Sequence, residues 1–317
     1  MPVPDRREFL RLARQATLVP VSKAISADLL TPVSAFLALA AGEPHAFLLE
    51  SVEGGEKIGR YTFLGARPRQ IVAARGKQLR IEYPGRRRIE RRELEGGILP
   101  LLRQLLRQHR AATVPGLPPF TAGAVGYLAY DAVRHLERLP ERAADDLALP
   151  DAVFMLFDRL LAFDHLRHEI HIIAAADVRR ESPSRAYQRA LRDIESIQRR
   201  LAAGPPPGAM KPRKPPRGSL KLHYTTPHRD FLRTVRRAKE YIAAGDAFQV
   251  VLSQRVDFTP GAGPLDIYRA LRRVNPSPYM YFLRMGGLHV LGSSPEMLVK
   301  VSEIGRASCR ERVYVLV

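Results

Sequence analysis

Tryptophan is absent from the 317-residue chain, and cysteine occurs once. A single thiol closes no internal disulfide and builds no thiolate metal cluster, so the fold must rest on packing alone. No apolar run approaches the roughly 18 residues that a bilayer span needs. The N-terminus, MPVPDRREFLRLARQ, lacks the apolar stretch of a secretory signal. Acidic residues are scarce as well: 32 Asp+Glu stand against 51 Lys+Arg, a formal charge of +19. These absences predict a cytoplasmic protein in a reducing setting, with no membrane attachment.

What is present reads as globular. The chain is 45% apolar and 26% charged, an ordinary balance that excludes wholesale disorder and collagen-like or coiled-coil architecture. Its length predicts about two domains, each able to bury a core. The excess charge is almost all arginine, in a chain also rich in Ala, Pro and Gly, as a GC-rich coding sequence dictates. Local basic runs occur at Arg86-Arg87-Arg88, at Arg91-Arg92 and from Lys211 to Lys221. None is interleaved with aromatic residues, so they predict solvated surface and no nucleic-acid partner.

Hydrophobic spacing divides the chain into two parts. Thr31-Pro32 offers an N-cap and a first-turn proline, Val33, Phe36, Leu37 and Ala40 form an apolar face, and Gly42 supplies the stop. Strands are predicted at Ala46–Ser51, Arg60–Leu64, Ile71–Ala74, Leu79–Tyr83, Thr121–Leu128, Arg159–Asp164 and Glu169–Ala174, and helices at Ile98–Gln108 and Ser184–Leu201. This mixture predicts antiparallel sheets in an α+β layout. An N-terminal domain is therefore expected over 1–203, a Pro-rich basic linker over 204–222, and the start of a second domain over 223–302. In that second part Phe231, Val235, Ala238 and Ile242 mark one helix face ending at Gly245. A strand is predicted over Phe248–Phe258, a short helix over Leu265–Arg273, and a hairpin of Tyr279–Met285 with Leu288–Gly292 around Gly286-Gly287.

Two tempting motifs fail on context. His165, His168 and His171 straddle a predicted hairpin, where strand alternation and the turn separate their directions, so no metal site is expected from them. His228-Arg229-Asp230 spells a kinase triplet but opens a helix and lacks its partner motifs. No glycine-rich phosphate loop is present. The C-terminus differs from the rest. EIGRASCRERV, starting at Glu303 and containing Cys309, resembles a translated sequencing-library adapter, so 303–317 is expected to be a non-native tail and the native chain to continue beyond Ser302.

Four longer strings share one resemblance. Leu48-Leu49-Glu50-Ser51, Gly245-Asp246-Ala247-Phe248-Gln249-Val250-Val251-Leu252-Ser253-Gln254-Arg255, Asn275-Pro276-Ser277-Pro278-Tyr279-Met280 and Gly292-Ser293-Ser294-Pro295-Glu296 occur in the order of anthranilate synthase component I, a family of chorismate-utilising enzymes. The resemblance spans Met1 to Ser302. It implies an α+β fold of two face-to-face antiparallel sheets with outer helices. It also implies conversion of chorismate and ammonia to anthranilate and pyruvate with Mg²⁺, ammonia delivery by a glutamine amidotransferase subunit, and feedback inhibition by tryptophan.

Residue roles follow from the same resemblance. Ser51, Pro278, Tyr279 and Met280 match positions lining the tryptophan pocket, where a hydroxyl suits the ligand's charged end and an apolar, polarisable wall suits its indole. Arg60 lies near the family's cationic pocket position. Gln249 stands where isochorismate and salicylate synthases carry a lysine able to activate water. A glutamine takes no proton, which fits attack by ammonia, and makes Gln249 the one catalytic candidate. The family's Mg²⁺ ligands, catalytic histidine and chorismate loops match nothing up to Ser302, so no metal residue is assigned. Aminodeoxychorismate synthase component I and a catalytically dead tryptophan-binding sensor stay open as alternatives.

Overall fold

The computed structural model describes residues 1–51, 59–140, 144–209, 220–303 and 306–309. The chain runs through α1 (Arg6–Leu12), β1 (Leu18–Ser26), α2 (Pro32–Ala40), β2 (His45–Glu50), β3 (Tyr61–Ala66), β4 (Gln70–Arg75), β5 (Gln78–Tyr83), β6 (Arg88–Glu93) and α3 (Ile98–Arg107). It continues through β7 (Gly123–Leu128), β8 (Ala152–Phe157), β9 (Arg159–Asp164), β10 (Glu169–Asp177), α4 (Pro183–Ala203), β11 (His223–Tyr224), α5 (His228–Ala244) and β12 (Val256–Asp257). The last elements are α6 (Pro264–Val274), β13 (Tyr279–Met285), β14 (Leu288–Ser294), β15 (Val299–Glu303) and β16 (Arg306–Cys309). Helix α2 starts where the sequence places it. The Thr31 hydroxyl accepts from the Ser34 amide, and the Ser34 hydroxyl accepts from the Thr31 amide, a reciprocal cap at the exposed end.

Two compact units result. The first comprises Met1–Met210 with Leu271–Pro295, the second Lys211–Ala270 with Glu296–Val313. The first contains a seven-stranded sheet ordered β1-β10-β9-β3-β2-β13-β14 and a five-stranded sheet ordered β6-β5-β4-β8-β7, every pair antiparallel. The sheets face one another. Phe47, Leu160, Ala162, Ile173 and Leu283 of the larger pack against Ile71, Val125, Val153 and Met155 of the smaller. Each large side chain buried here contributes about 1.5–3 kcal/mol of transfer free energy. Helices α1, α2 and α4 lie on the strands of the larger sheet. Ile98, Leu101 and Leu102 of α3 pack against Val72, Leu79 and Ile81 of the smaller. The expected α+β class, with two large antiparallel sheets and outer helices, is therefore the observed one.

The second unit corrects one expectation. The strand predicted over Phe248–Phe258 is reduced to Val256–Asp257, which pairs only with His223–Tyr224. Phe248 is 85% exposed and Val251 48%. Alternating apolar residues stabilise a strand only where a neighbouring strand takes up the backbone groups. No such neighbour occurs here among the described residues. The stripe of Phe231, Val235, Ala238 and Ile242 does lie on α5, but the helix has no buried residue. Most of the predicted linker, 210–219, lies outside the described residues. Within the sequence expected as a non-native tail, Arg306–Cys309 pairs antiparallel with Val299–Glu303.

Candidate functional site

One end of the seven-stranded sheet collects the chemistry. Strand β13 inserts between β2 and β14, with Met280 opposite Glu50, Tyr281 opposite Leu49 and Phe282 opposite Leu48. The Leu48–Ser51 and Asn275–Met280 strings thus become adjacent strand ends. Continued by one residue, the register sets Ser51 across from Tyr279. Alternation then divides the four candidates. Ser51 and Tyr279 share the face of Tyr281 and Leu283, which meets the inter-sheet core. Met280 shares the opposite face with Phe282, whose ring meets Phe36 of α2 edge-on at 5.6 Å. Met280 is buried, while Ser51, Pro278 and Tyr279 are half-buried.

Several fixed contacts hold this end in shape. The Glu50 carboxylate is 3% exposed and lies 2.9 Å from the Arg272 Nε. The Ser277 hydroxyl donates to the Ser294 carbonyl, and the Ser293 hydroxyl donates to the Asn275 carbonyl at 2.6 Å. Both bonds fasten the Asn275–Pro278 turn to β14. A Cβ on Gly292 would overlap the ring of Tyr281, its partner across the β13–β14 pair, so only glycine leaves that tyrosine its place. Farther along the strand the Arg284 guanidinium donates to the Ala40 and Glu43 carbonyls at 2.7 and 3.0 Å, tying β13 to the end of α2.

The neighbouring strands β3 and β9 add a charged pair. Arg60 donates to both oxygens of Asp164, at 3.2 Å from Nε and 2.7 Å from Nη2, and lies 4.8 Å from the Tyr61 ring centroid. Burial acts to raise the Asp164 carboxyl, but the Arg60 guanidinium and the Arg167 and Leu166 amides outweigh it, holding the group below the usual carboxylate range. His165 is 2.8 Å from the Thr62 hydroxyl, whereas His171 is 3.5 Å from the Ser22 hydroxyl. Burial lowers both imidazoles. His165, His168 and His171 therefore occupy different surroundings around the β9–β10 turn.

Gln249 is exposed, within a segment of the second unit that forms neither helix nor strand. Among the described residues no group of three or more His, Cys, Asp or Glu side chains could hold a metal ion. The described residues do not fit a Mg²⁺ site. Nor is any helix among the described residues long and apolar enough to cross a membrane. Sequence reasoning missed Glu50, Arg272 and the Gly292–Tyr281 contact. The signal for the first was a lone carboxylate ending the apolar run Ala46–Leu49, which burial obliges to find a cation.

An antiparallel two-sheet enzyme fold with these strings at one sheet end has a known counterpart. The chorismate binding enzyme family matches residues 45–309, and the chain belongs to that family. It is 39% identical over 302 residues to anthranilate synthase component 1 of Acetivibrio thermocellus, and 39% identical over 309 residues to that of Pseudomonas aeruginosa. Each alignment covers 94% of this chain but 60% of the relative. The chain thus spans about 60% of the length of these curated relatives. The crystal structure of anthranilate synthase component I from Streptococcus pneumoniae superposes with a TM-score of 0.62 at 26% identity, covering 88% of this chain and 58% of that one.

Proposed function

We propose that this chain is the N-terminal part of a component I enzyme that converts chorismate and ammonia to anthranilate and pyruvate, with ammonia from a glutamine amidotransferase and tryptophan as inhibitor. The supporting observation is the β2–β13 pair, which makes one surface of Ser51 and the Pro278–Tyr279 segment from opposite ends of the described chain. In this reading Ser51 and neighbouring backbone hold the charged end of tryptophan. Pro278 and Tyr279 flank its indole, and Met280 supports that wall from behind. The groups for metal-assisted chemistry would be carried by sequence corresponding to the remainder of the relatives.

That assignment has a direct consequence for turnover. The 317-residue chain, given chorismate, ammonia and Mg²⁺, should form no anthranilate, because no group among its described residues could hold the metal ion that the proposed reaction uses. Fluorimetric detection of anthranilate above a buffer blank would contradict the assignment of catalysis to sequence outside the chain. Gln249 belongs to the same proposal as the residue facing the ammonia nucleophile in the complete enzyme.

A further inference from the structure

The first unit has a second concavity, independent of the sheet end and of the function proposed above. It is a cavity of about 580 Å³ at the place where the chain crosses between the two sheets. Arg67 and Arg69 stand on the β3–β4 link, Arg159 opens β9 immediately after the crossing from β8, and Arg180 follows β10. Arg86 closes the short 3-10 turn Pro84–Arg86 beyond β5. Among the described residues, Glu43 is the only acidic one on the wall.

The ion pairs around this cavity leave positive charge over. Glu43 Oε1 is shared by Arg67 at 2.6 Å and Arg200 at 3.6 Å. Asp177 Oδ2 is shared by Arg69 at 3.6 Å, Arg179 at 2.8 Å and Arg180 at 3.3 Å. Arg159 alone is fully matched, by Asp158 and Asp193, each at 3.3 Å. Among the described residues, six guanidiniums share four carboxylates, and Arg86 adds a seventh cation on the wall. Burial lowers the Arg69 guanidinium from its ordinary value, with Asp158 and Asp177 acting against the shift and Arg180 and Arg179 with it. The rim is also conformationally unusual. Arg67 on the wall takes a φ of 59°, and Arg87, next in sequence to the lining Arg86, one of 50°, left-handed backbone uncommon for long side chains.

Guanidinium forks match phosphoryl and carboxyl oxygens in pairs, and a concave low-dielectric wall concentrates their field. The cavity has the size of a small-molecule site and far exceeds one inorganic ion. Tyr83, Pro68 and Pro84 give it flat apolar walls beside the charged ones. We propose that this cavity binds a ring-bearing organic anion with two or more negative charges, carried as phosphoryl or carboxyl groups. The arginines grip the charged end, and Tyr83 with the two prolines covers the ring.

Calorimetric titration of the 317-residue chain tests this, with ADP as a ring-bearing diphosphate and benzene-1,3,5-tricarboxylate as a ring-bearing tricarboxylate. At least one should bind with a Kd below about 1 mM at low salt, and binding should weaken as salt rises. Whichever binds identifies phosphoryl or carboxyl as the preferred group. Arg86→Glu, at an exposed turn, and Arg86→Glu combined with Arg180→Glu should weaken binding by about tenfold or more. Arg185→Glu, on the exposed face of α4, should leave it unchanged. No binding of either compound at about 10 mM, or binding indifferent to the Arg86 change in a chain of unaltered circular dichroism, would overturn the proposal.

Discussion

Glu50 and Met280 face one another across the β2–β13 pair, although most of the chain lies between them. The Glu50 carboxylate is buried and meets the Arg272 guanidinium. The ion pair ties the first string to α6, and the strand pair joins the two strings that the family resemblance brings into a single pocket. Its geometry depends on a charge kept out of water.

Replacing Arg272 by leucine should take one cation away from the buried Glu50 carboxylate and cost about 1–3 kcal/mol of stability. Arg272→Lys should recover part of that loss, since a point charge replaces the guanidinium fork. Urea unfolding followed by circular dichroism measures both. Equal midpoints for the original chain and Arg272→Leu would contradict a stabilising ion pair.

Gly292→Ala should destabilise the β13–β14 hairpin by about 1–3 kcal/mol, because the new methyl group overlaps the Tyr281 ring. Tyr281→Leu removes the obstacle, so adding Gly292→Ala to that variant should cost clearly less than in the original chain. Purely additive losses in the double variant would contradict the contact.

Acid should act through Asp177 and His109. Burial, with help from Arg69 and Arg179, lowers the His109 imidazole to about 4. The unfolded chain therefore takes up a proton near pH 6.5 that the folded one refuses, and stability falls as pH drops from 6.5 toward 4. Burial acts to raise Asp177, but its bonds to Arg179 outweigh this and hold it at about 2. Its contribution is complete above its ordinary value of 3.8 and is lost as pH falls toward 2. Unfolding midpoints against pH should show both declines. His109→Gln should flatten the upper one and Asp177→Asn the lower. An imidazole resonance of His109 titrating near 6.5 would contradict the burial.

The parts of the fold legible in the sequence are those with local signals. Thr31-Pro32 and Gly42 delimit α2, and Gly286-Gly287 makes the β13–β14 turn, with Gly286 at the positive φ of 68° that a primed turn asks of its first central residue. Strand β6 was illegible because RIERRE reads as solvated charge. It is the edge of the five-stranded sheet, where charged side chains discourage further pairing. Strands β1 and β8 lack clear alternation, since each is buried for most of its length. Phe248–Phe258 failed for the opposite reason: its apolar spacing suits a strand, but pairing reaches only Val256–Asp257.

At the candidate site, the strings were legible and their register was not. Register arises from the meeting of segments distant in the chain, and no local rule encodes it. The division of Tyr279 and Met280 between opposite faces was within reach, because a strand over Tyr279–Met285 already implies it.

Tryptophan binding gives the most direct measurement. The chain contains no tryptophan, so added ligand is the only indole in solution and its emission and anisotropy report its surroundings alone. Titration of the 317-residue chain should give a saturable rise in anisotropy with a shift of emission to shorter wavelength. Ser51→Ala should weaken that binding by about tenfold or more, as loss of a hydrogen bond to a charged group requires. An unchanged signal at about 1 mM ligand, with circular dichroism showing the chain folded, would contradict the pocket at Ser51 and Tyr279.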